Sequence, residues 1–359
     1  MLSLENLLNN KSNIYSYFAK KFLKKTGVDI IVGDNKKISI AKSCSIIIPF
    51  YKNYSFLEKN LASLCHQELS AEFKKNKIEI IIINDGSSVN LENLIRKTRK
   101  YYTVVYLKLK NNSGRATARN LGLLHSKNEI IIFLDEDIVV PNDFIFSHLL
   151  RHEFLDRCVI VGFRHNITLK DSVSKINKKT QKIIKRPNYK KDFRYKKFIP
   201  KNWKNIYNDL PPHSFNKVCF PLKESNFFSN FGNGKIFGVW NLPFMFLTSN
   251  ASVPRSEILK IGGFDMRFKG WGLEDVHLAL KLISNGLYLL PNLHASAYHL
   301  IEEKEKKDKK KKYEEFRANL CLYNKLKNEE ILIYSEDQWK RKAKKYFKNK
   351  FTIKYFPKE

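Results

Sequence analysis

The sequence contains no run of about eighteen consecutive apolar residues, the length that a helix needs to cross a lipid bilayer. Its first thirty residues also lack the order of basic start, apolar stretch and small-residue cleavage site that marks a secretory signal peptide. From these two absences we expect a cytoplasmic protein, with peripheral contact to the inner face of the cell membrane as a further option.

Cysteines are few, and they are spread singly along the chain. The five cysteines are Cys44, Cys65, Cys158, Cys219 and Cys321. No C-x-x-C pair and no metal-ligand spacing is present, which argues against a disulfide framework and a zinc site. Reduced, buried thiols in a cytoplasmic protein are the simplest interpretation.

Acidic residues and arginines are few relative to lysines. The chain has 35 Asp and Glu against 53 Lys and 13 Arg, and its net charge is +31. The lysines concentrate in residues 168–206, 304–312 and 338–350. Such segments suit phosphate-rich partners or an anionic membrane surface, and they also suit plain solvated loops. Because arginine, which reads base edges in a bidentate manner, is scarce, we expect no specific nucleic acid partner.

Apolar runs and amphipathic stretches alternate along the first half of the chain. Strands are predicted near residues 46–48, 78–83, 104–109 and 130–134, and helices over 56–69, 91–101 and 114–125. Continuous apolar strands that alternate with helices are typical of a parallel sheet covered on both faces. The fold class is therefore α/β, and ligands are expected beyond the carboxyl ends of the strands.

Three parts are predicted. An N-terminal helical extension covers residues 1–40 and begins with an amphipathic helix over 1–25. The α/β domain covers 41–300, and within it the lysine- and aromatic-rich segment 168–236 is interpreted as an insertion or flap. A basic helical extension covers 301–359; its aromatic residues are expected either to contact an anionic membrane or to pack on the domain.

Polar or special residues follow three of the predicted strands: Pro49-Phe50-Tyr51, Asn84-Asp85-Gly86 and Asp135-Glu136-Asp137. Because parallel strands end at one edge of their sheet, these segments outline a nucleotide pocket. Carboxylates in a D-x-D triplet suit Mn²⁺ or Mg²⁺, which leaves positions open for substrate phosphates. A lone D-x-D is more often an acidic turn, and Asp85 before a glycine is by itself a common turn residue.

Several ordered motifs together are more specific than each one alone. Segments Ser45–Tyr51, Ile82–Ser88, Ala118–Gly122 and Phe133–Asp137 resemble the nucleotide-binding half of GT-A glycosyltransferases of the family-two type. Residues 262–265 (GGFD) and 270–275 (GWGLED) resemble the acceptor-side motif of inverting galactosyltransferases and bacterial chondroitin-type polymerases. The resemblance covers about residues 43–300 and implies a GT-A, Rossmann-like, mostly parallel sheet flanked by helices, with the two helical extensions outside it.

The resemblance implies roles for individual residues on the donor side. Nucleotide-sugar contacts fall on Pro49, Phe50, Tyr51, Asp85, Arg119, Asp135 and Glu136. Metal ligands fall on Asp135, Asp137 and His299. His294 competes with His299 by chemistry but not by motif, and a surface or core histidine is the ordinary alternative for both. For Arg115, one turn before Arg119, a solvated surface role is at least as good an interpretation.

On the acceptor side the resemblance implies that Asp275 is the catalytic base and that Glu274 fixes the acceptor, with Trp271 and Gly272 beside it. A helix that begins here would favour ionised carboxylates at its N-terminus. Two acids that merely cap a helix and a core tryptophan are the plain alternatives. His277 stands where the family often has another acid, which leaves the acceptor contacts open.

The expected function is an inverting, metal-dependent transfer of a hexose or N-acetylhexosamine from a nucleotide-sugar, a UDP-sugar by preference, to a glycan or lipid-linked acceptor in bacterial surface polysaccharide assembly. One alternative is a protein that binds polyanions or a membrane surface and leaves the nucleotide pocket idle. Another is a retaining glycosyltransferase or a sugar nucleotidyltransferase on a similar sheet.

Overall fold

The computed structural model describes residues 3–9, 13, 15–177, 182–192, 194, 236–237, 240–302 and 309–358. Most of the predicted insertion, residues 195–235, lies outside the described residues, so its interpretation as a flap stays a prediction. The division of the chain at residues 40 and 300 stays a prediction as well.

Two short helices precede the sheet, where one amphipathic helix was expected over residues 1–25. They are α1 (Leu4–Asn9) and α2 (Ser16–Thr26). Helix α2 ends at Gly27, whose φ of 73° is a left-handed conformation that glycine adopts without steric cost. Phe22 of α2 is fully buried, so this helix packs on the core.

The first half of the sheet is parallel. In chain order its elements are β1 (Cys44–Phe50), α3 (Tyr54–Cys65), α4 (Ala71–Lys77), β2 (Ile78–Asn84), α5 (Glu92–Thr98), β3 (Thr103–Leu109), α6 (Arg115–His125) and β4 (Ile130–Leu134). Strand β1 pairs with β2 and β4 in parallel, and β2 pairs with β3. All residues of β2 and β4 are buried. The predicted α/β fold with a mostly parallel sheet flanked by helices is confirmed.

The second half adds antiparallel strands. Its elements are β5 (Ile138–Val139), α7 (Phe144–Phe154), β6 (Cys158–Thr168), α8 (Leu169–Ser172), β7 (Ile236–Phe237), β8 (Trp240–Asn241), β9 (Asn250–Pro254), α9 (Arg255–Lys260), α10 (Glu274–Ser284) and β10 (Tyr288–Ile301). Strand β9 runs antiparallel to both β4 and β6, whereas β6 and β10 are parallel. Strand β5 pairs antiparallel with the end of β10.

The C-terminal extension contains a strand that the sequence analysis did not predict. Helices α11 (Lys309–Leu326) and α12 (Glu336–Phe347) are followed by β11 (Phe351–Phe356), which pairs antiparallel with β3 at the sheet edge. The nine-stranded order is β11-β3-β2-β1-β4-β9-β6-β10-β5. Trp339 and Phe347 of α12 are buried in the main core, so these two side chains pack on the domain instead of facing a membrane. In the part of the chain that the structure describes, no helix has the length and apolarity to span a bilayer.

The sheet brings the polar segments to one edge. Phe50 at the end of β1 is in register with Asn84 at the end of β2, and Asp135 directly follows β4, the other neighbour of β1. Because these three strands are parallel, their carboxyl ends open onto the same space.

Candidate active site

Two cavities meet at this edge. The first cavity has a volume of about 440 Å³ and is lined by the strand ends and by residues far along the chain, including Tyr51, Asp85, Glu136, Asp137, Lys311 and Glu315. The second cavity is smaller, about 130 Å³, and its lining includes Arg119, Arg164, Gly272, Glu274, Asp275 and Phe316. Arg115, Asp135 and Trp271 line both. The predicted donor-side and acceptor-side residues are thus neighbours across a shared wall.

Asp137 lines the first cavity, and His299 lies next to it. His299 lies on β10 opposite Ile138, and its Nε2 is 3.2 Å from Asp137 Oδ2. Its Nδ1 is 3.0 Å from Asn166 Oδ1, an amide oxygen that can accept an Nδ1–H. A cation between Nε2 and the Asp137 carboxylate would be held by both groups.

The donor set fits a divalent metal. Asp137 Oδ1 is buried and has no hydrogen-bond partner among the described residues, so this carboxylate oxygen lacks compensation from that part of the protein. Two carboxylates and an imidazole are ligands that Mn²⁺ accepts, and Mg²⁺ is served by the carboxylates. Asp135, Asp137 and His299 would hold such an ion; that role stays a prediction.

His294, the competing histidine, is in a different place. Its Nε2 is 3.0 Å from Asp143 Oδ2 and 3.2 Å from Asp34 Oδ2. These three residues could by distance hold a metal of their own. Arg151 pairs with Asp34 and Arg186 pairs with Asp143, so two cations already balance the two acids. We therefore interpret this group as a structural ion network.

Glu136 and Tyr51 lie next to each other in the lining of the first cavity. The Tyr51 N–H donates to Glu136 Oε2 at 3.1 Å. Burial raises the pKa of Glu136 to about 9, although that hydrogen bond acts in the opposite direction. At neutral pH Glu136 is therefore favoured as a neutral carboxylic acid that can donate a hydrogen bond.

Asp85 organises the loop that begins α6. Its two carboxylate oxygens accept from the N–H groups of Ser113 at 2.7 Å and Gly114 at 2.9 Å. Gly86 next to it has φ +77°, and a Cβ there would lie 2.4 Å from the carbonyl carbon of Asn111. Asp85 is therefore more than a turn residue, since it fixes a distant loop and also lines the first cavity.

Arg119, predicted to contact the nucleotide, is buried between two carboxylates. Its Nη2 donates to Asp135 Oδ1 at 2.8 Å, and its Nη1 donates to Glu274 Oε1 at 3.0 Å. Burial alone raises the pKa of Asp135, yet the charges of Arg119 and Arg115 bring it below its usual value. Arg119 lines the second cavity, whereas the exposed Arg115 lines both. The role of Arg115, which the sequence left open, stays a prediction, although its exposed side chain lies where the two cavities meet.

Asp275 lies in the first turn of α10, which follows Leu273 in a left-handed conformation with φ 72°. Burial, and then the negative charge of Glu274, raise the pKa of Asp275 to about 7. A carboxylate with a pKa near the working pH is suited to accept a proton in catalysis. Glu274 differs from it because Arg119 forms an ion pair with Glu274 Oε1 at 3.0 Å.

Sequence reasoning missed several residues that line the cavities. Arg164 of β6 lines the second cavity, and its apolar surroundings in sequence gave no signal. Lys311, Lys312 and Glu315 of α11 line the first cavity, but they lie in a lysine-rich stretch whose pattern is that of a solvated helix. These residues line the cavity only because the C-terminal extension folds back over it.

Comparison with known proteins identifies the class. A sequence model described as Glycosyl transferase family 2 matches residues 45–210, and one described as N-terminal domain of galactosyltransferase matches residues 245–317. The chain is a glycosyltransferase. The second match contains the Trp271 segment, Asp275 and the first half of α11, which agrees with the resemblance seen in the sequence.

This glycosyltransferase is similar to several curated bacterial proteins. It is 25% identical over 260 residues to the uncharacterized glycosyltransferase YfnE of Bacillus subtilis, 26% over 271 residues to chondroitin synthase of Escherichia coli, and 28% over 273 residues to hyaluronan synthase of Pasteurella multocida. These alignments cover 68%, 74% and 71% of this chain. They span 61%, 35% and 24% of the relatives' own lengths.

The fold is shared with a solved GT-A enzyme. The crystal structure of GalNAc-T7 with UDP, GalNAc and Mn²⁺ aligns with a TM-score of 0.51 at 14% sequence identity, over 75% of this glycosyltransferase and 45% of that chain. At this identity the likeness establishes the GT-A fold and does not transfer a substrate.

Proposed function

We propose that this glycosyltransferase is an inverting, metal-dependent enzyme that moves a hexose or N-acetylhexosamine from a nucleotide-sugar, a UDP-sugar by preference, to a glycan acceptor. The observation that carries the proposal is that Asp135 lines both cavities. On one side lie Asp137 and His299 with an unsatisfied carboxylate oxygen, and on the other lies Asp275 with its raised pKa. One molecule can thus have its diphosphate in the first cavity and its sugar at the entrance of the second.

In this proposal each side has its own task. A divalent cation at Asp135, Asp137 and His299 would supply positive charge to the departing diphosphate. Asp275 accepts the proton of the acceptor hydroxyl, whose oxygen forms a bond to the anomeric carbon from the face opposite the diphosphate. The bond from that carbon to the phosphate oxygen breaks, and the nucleoside diphosphate leaves with the electron pair. A single displacement of this kind inverts the anomeric configuration.

Support for a polysaccharide role is indirect. Chondroitin synthase and hyaluronan synthase are polymer-forming relatives by name, although this chain covers about a third or less of their lengths. We propose a glycan or lipid-linked acceptor of bacterial surface polysaccharide assembly. The scattered free cysteines among the described residues, Cys44, Cys65, Cys158 and Cys321, favour a cytoplasmic setting.

The test is a donor panel. The protein is incubated with Mn²⁺ and a set of UDP-, GDP- and dTDP-sugars, and nucleoside diphosphate release is measured with and without candidate glycans. We expect one or two UDP-sugars to be hydrolysed slowly and transferred faster. The anomeric configuration of the product, read by proton NMR coupling, separates inversion from retention. Absence of binding to every nucleotide would leave the polyanion-binding alternative, which salt-sensitive binding that survives Asp137→Ala would support.

A further inference from the structure

Helix α11 forms a wall that both cavities share. Lys311, Lys312 and Glu315 line the first cavity, and Phe316, the next residue, lines the second. The opposite side of the first cavity carries the strand-end acids. None of the site residues predicted from the sequence lies on this helix.

The helix holds the loop that carries Trp271. The Trp271 N–H donates to Glu315 Oε2 at 2.9 Å. Asn319, which is buried, donates from Nδ2 to the carbonyl oxygens of Lys269 at 2.9 Å and Gly272 at 2.8 Å. The rings of Trp271 and Phe316 are 5.6 Å apart. Two side chains of α11 thus satisfy backbone groups on both sides of the tryptophan.

The glycines that flank Trp271 permit this contact. Gly270 has φ +68°, and a Cβ there would lie 2.4 Å from the carboxyl carbon of Glu315. Gly272 has φ +97°, and its Cβ would lie 3.0 Å from the ring of Phe316. A side chain at Gly270 would therefore displace the Glu315 carboxylate from the Trp271 N–H, and both glycines have the positive φ that other residues rarely adopt.

The walls of the first cavity differ in net charge. Asp85, Asp135 and Asp137 belong to the strand-end wall, whereas α11 contributes Lys311 and Lys312 beside Glu315. The diphosphate is the anionic part of a nucleotide linked to a neutral sugar. Lys311 has a long, 77% exposed side chain whose Nζ is 3.9 Å from Glu315, at the outer limit of an ion pair, so it can turn toward a phosphate at little cost.

We propose that Lys311 binds the donor diphosphate from the wall opposite the metal ligands, and that Glu315 and Asn319 are positioning residues that hold Trp271 for the acceptor. The inference rests on the proposed function and assigns to one helix a part in both halves of the site. Helix α11 then aligns the acceptor loop with a donor that it also contacts.

The first test compares Lys311→Ala with Lys310→Ala, a matched control on the same helix whose exposed side chain is not among the residues lining either cavity. Affinities for UDP and for uridine are measured by calorimetry with Mn²⁺ at low salt. We expect Lys311→Ala to weaken UDP binding about fivefold to twentyfold, as the loss of one charge-assisted contact does. Uridine binding should not change. Equal UDP affinities for the two variants would overturn the role of Lys311.

The second test uses Glu315→Ala, Glu315→Gln and Asn319→Ala. We expect the two alanine variants to raise the KM for the acceptor about tenfold, with UDP affinity retained. Glu315→Gln keeps an acceptor oxygen for the Trp271 N–H and should restore most of the loss. Each variant is also melted, because an unchanged acceptor KM in a folded protein would overturn the positioning role.

The outcomes separate this inference from the proposed function. If the unaltered protein binds no nucleotide, the proposed function fails and the inference fails with it. If the unaltered protein binds UDP and transfers sugar while the α11 variants behave like Lys310→Ala, the function stands and the inference alone is wrong.

Discussion

The two cavities that meet at Asp135 are built in different ways. The first cavity takes most of its acids from the ends of adjacent parallel strands, and the consecutive residues Asp135, Glu136 and Asp137 reach it directly from β4. The second cavity is assembled from a helix start, the Trp271 loop, β6 and α11, which are distant in sequence. In the proposed function, the strand ends hold the metal ligands in fixed positions. The acceptor side instead depends on side chains that hold a loop in place. Donor binding and acceptor alignment should therefore respond to different mutations.

Removal of a proposed metal ligand should have the largest effect on transfer. We expect Asp137→Ala, or chelation of divalent ions in the unaltered protein, to lower transfer by a factor on the order of a thousand, since charge on the leaving diphosphate loses its stabilisation. Metal-dependent thermal stabilisation by UDP should disappear as well. Retention of manganese-dependent UDP binding in the variant would contradict the assigned ligand set.

Asp275→Asn should affect the acceptor side alone. Loss of a general base lowers transfer by about 10²- to 10⁴-fold, while calorimetry should find UDP affinity unchanged. The raised pKa of Asp275 means that the native state disfavours the ionised carboxylate. The asparagine variant should consequently melt at a higher temperature than the unaltered protein at pH 8. The difference should shrink at pH 5.5, where the native state binds a proton at Asp275 that the unfolded chain does not. A variant with full activity would remove Asp275 as the base.

Arg119 pairs with Asp135, which lines both cavities, and with Glu274 of the second cavity. Removal of its charge should therefore affect both cavities. Arg119→Met leaves the half-buried Asp135 and the buried Glu274 without their cation, and we expect a loss of about 3 kcal/mol in unfolding free energy. The matched control is Arg115→Met, whose side chain is exposed and unpaired with these acids, and which should keep stability but weaken UDP binding. Denaturant titration measures both. Equal stability of the two variants would show that the buried ion pairs contribute little.

The pH dependence of kcat/KM tests whether Asp275 is the base. Because Asp275 must be ionised to accept a proton and its pKa is raised to about 7, kcat/KM should increase about tenfold per pH unit below 7 and level off above it. Glu274 and Asp135 raise this pKa, and Arg119 lowers it. UDP affinity, measured in parallel, should follow a different profile. A flat rate between pH 5.5 and 8 would contradict the assignment.

Trp271→Ala is expected to have the smallest effect. Loss of an aromatic platform for a sugar ring should raise the acceptor KM about tenfold, with slow donor hydrolysis retained. Phe316→Leu is a useful companion because it removes the ring packed against Trp271 without touching the loop backbone. If Trp271→Ala instead weakens UDP binding and spares the acceptor KM, Trp271 belongs to the donor side.

Much of the fold and of the first cavity was predictable because its signals are local. Continuous apolar runs such as Ile78–Ile83 gave the strands, and parallel pairing places the residues that follow them at one edge. The C-terminal strand was missed although Phe351, Ile353 and Tyr355 alternate with polar residues, because the preceding basic helix pattern was extended through it. Its pairing with β3 depends on a contact across more than two hundred residues, which no local pattern contains.

The sequence by itself determined the class of enzyme, the strand-end acids and the order of motifs, since each rests on residue type and short spacing. Only the tertiary structure decided that Arg119 faces Asp135 and Glu274 rather than the first cavity, that Arg115 lies at the junction, and that α11 returns to hold the Trp271 loop. The physical reason is that burial and pairing of charged side chains depend on which distant segments the folded chain brings within a few ångströms of them.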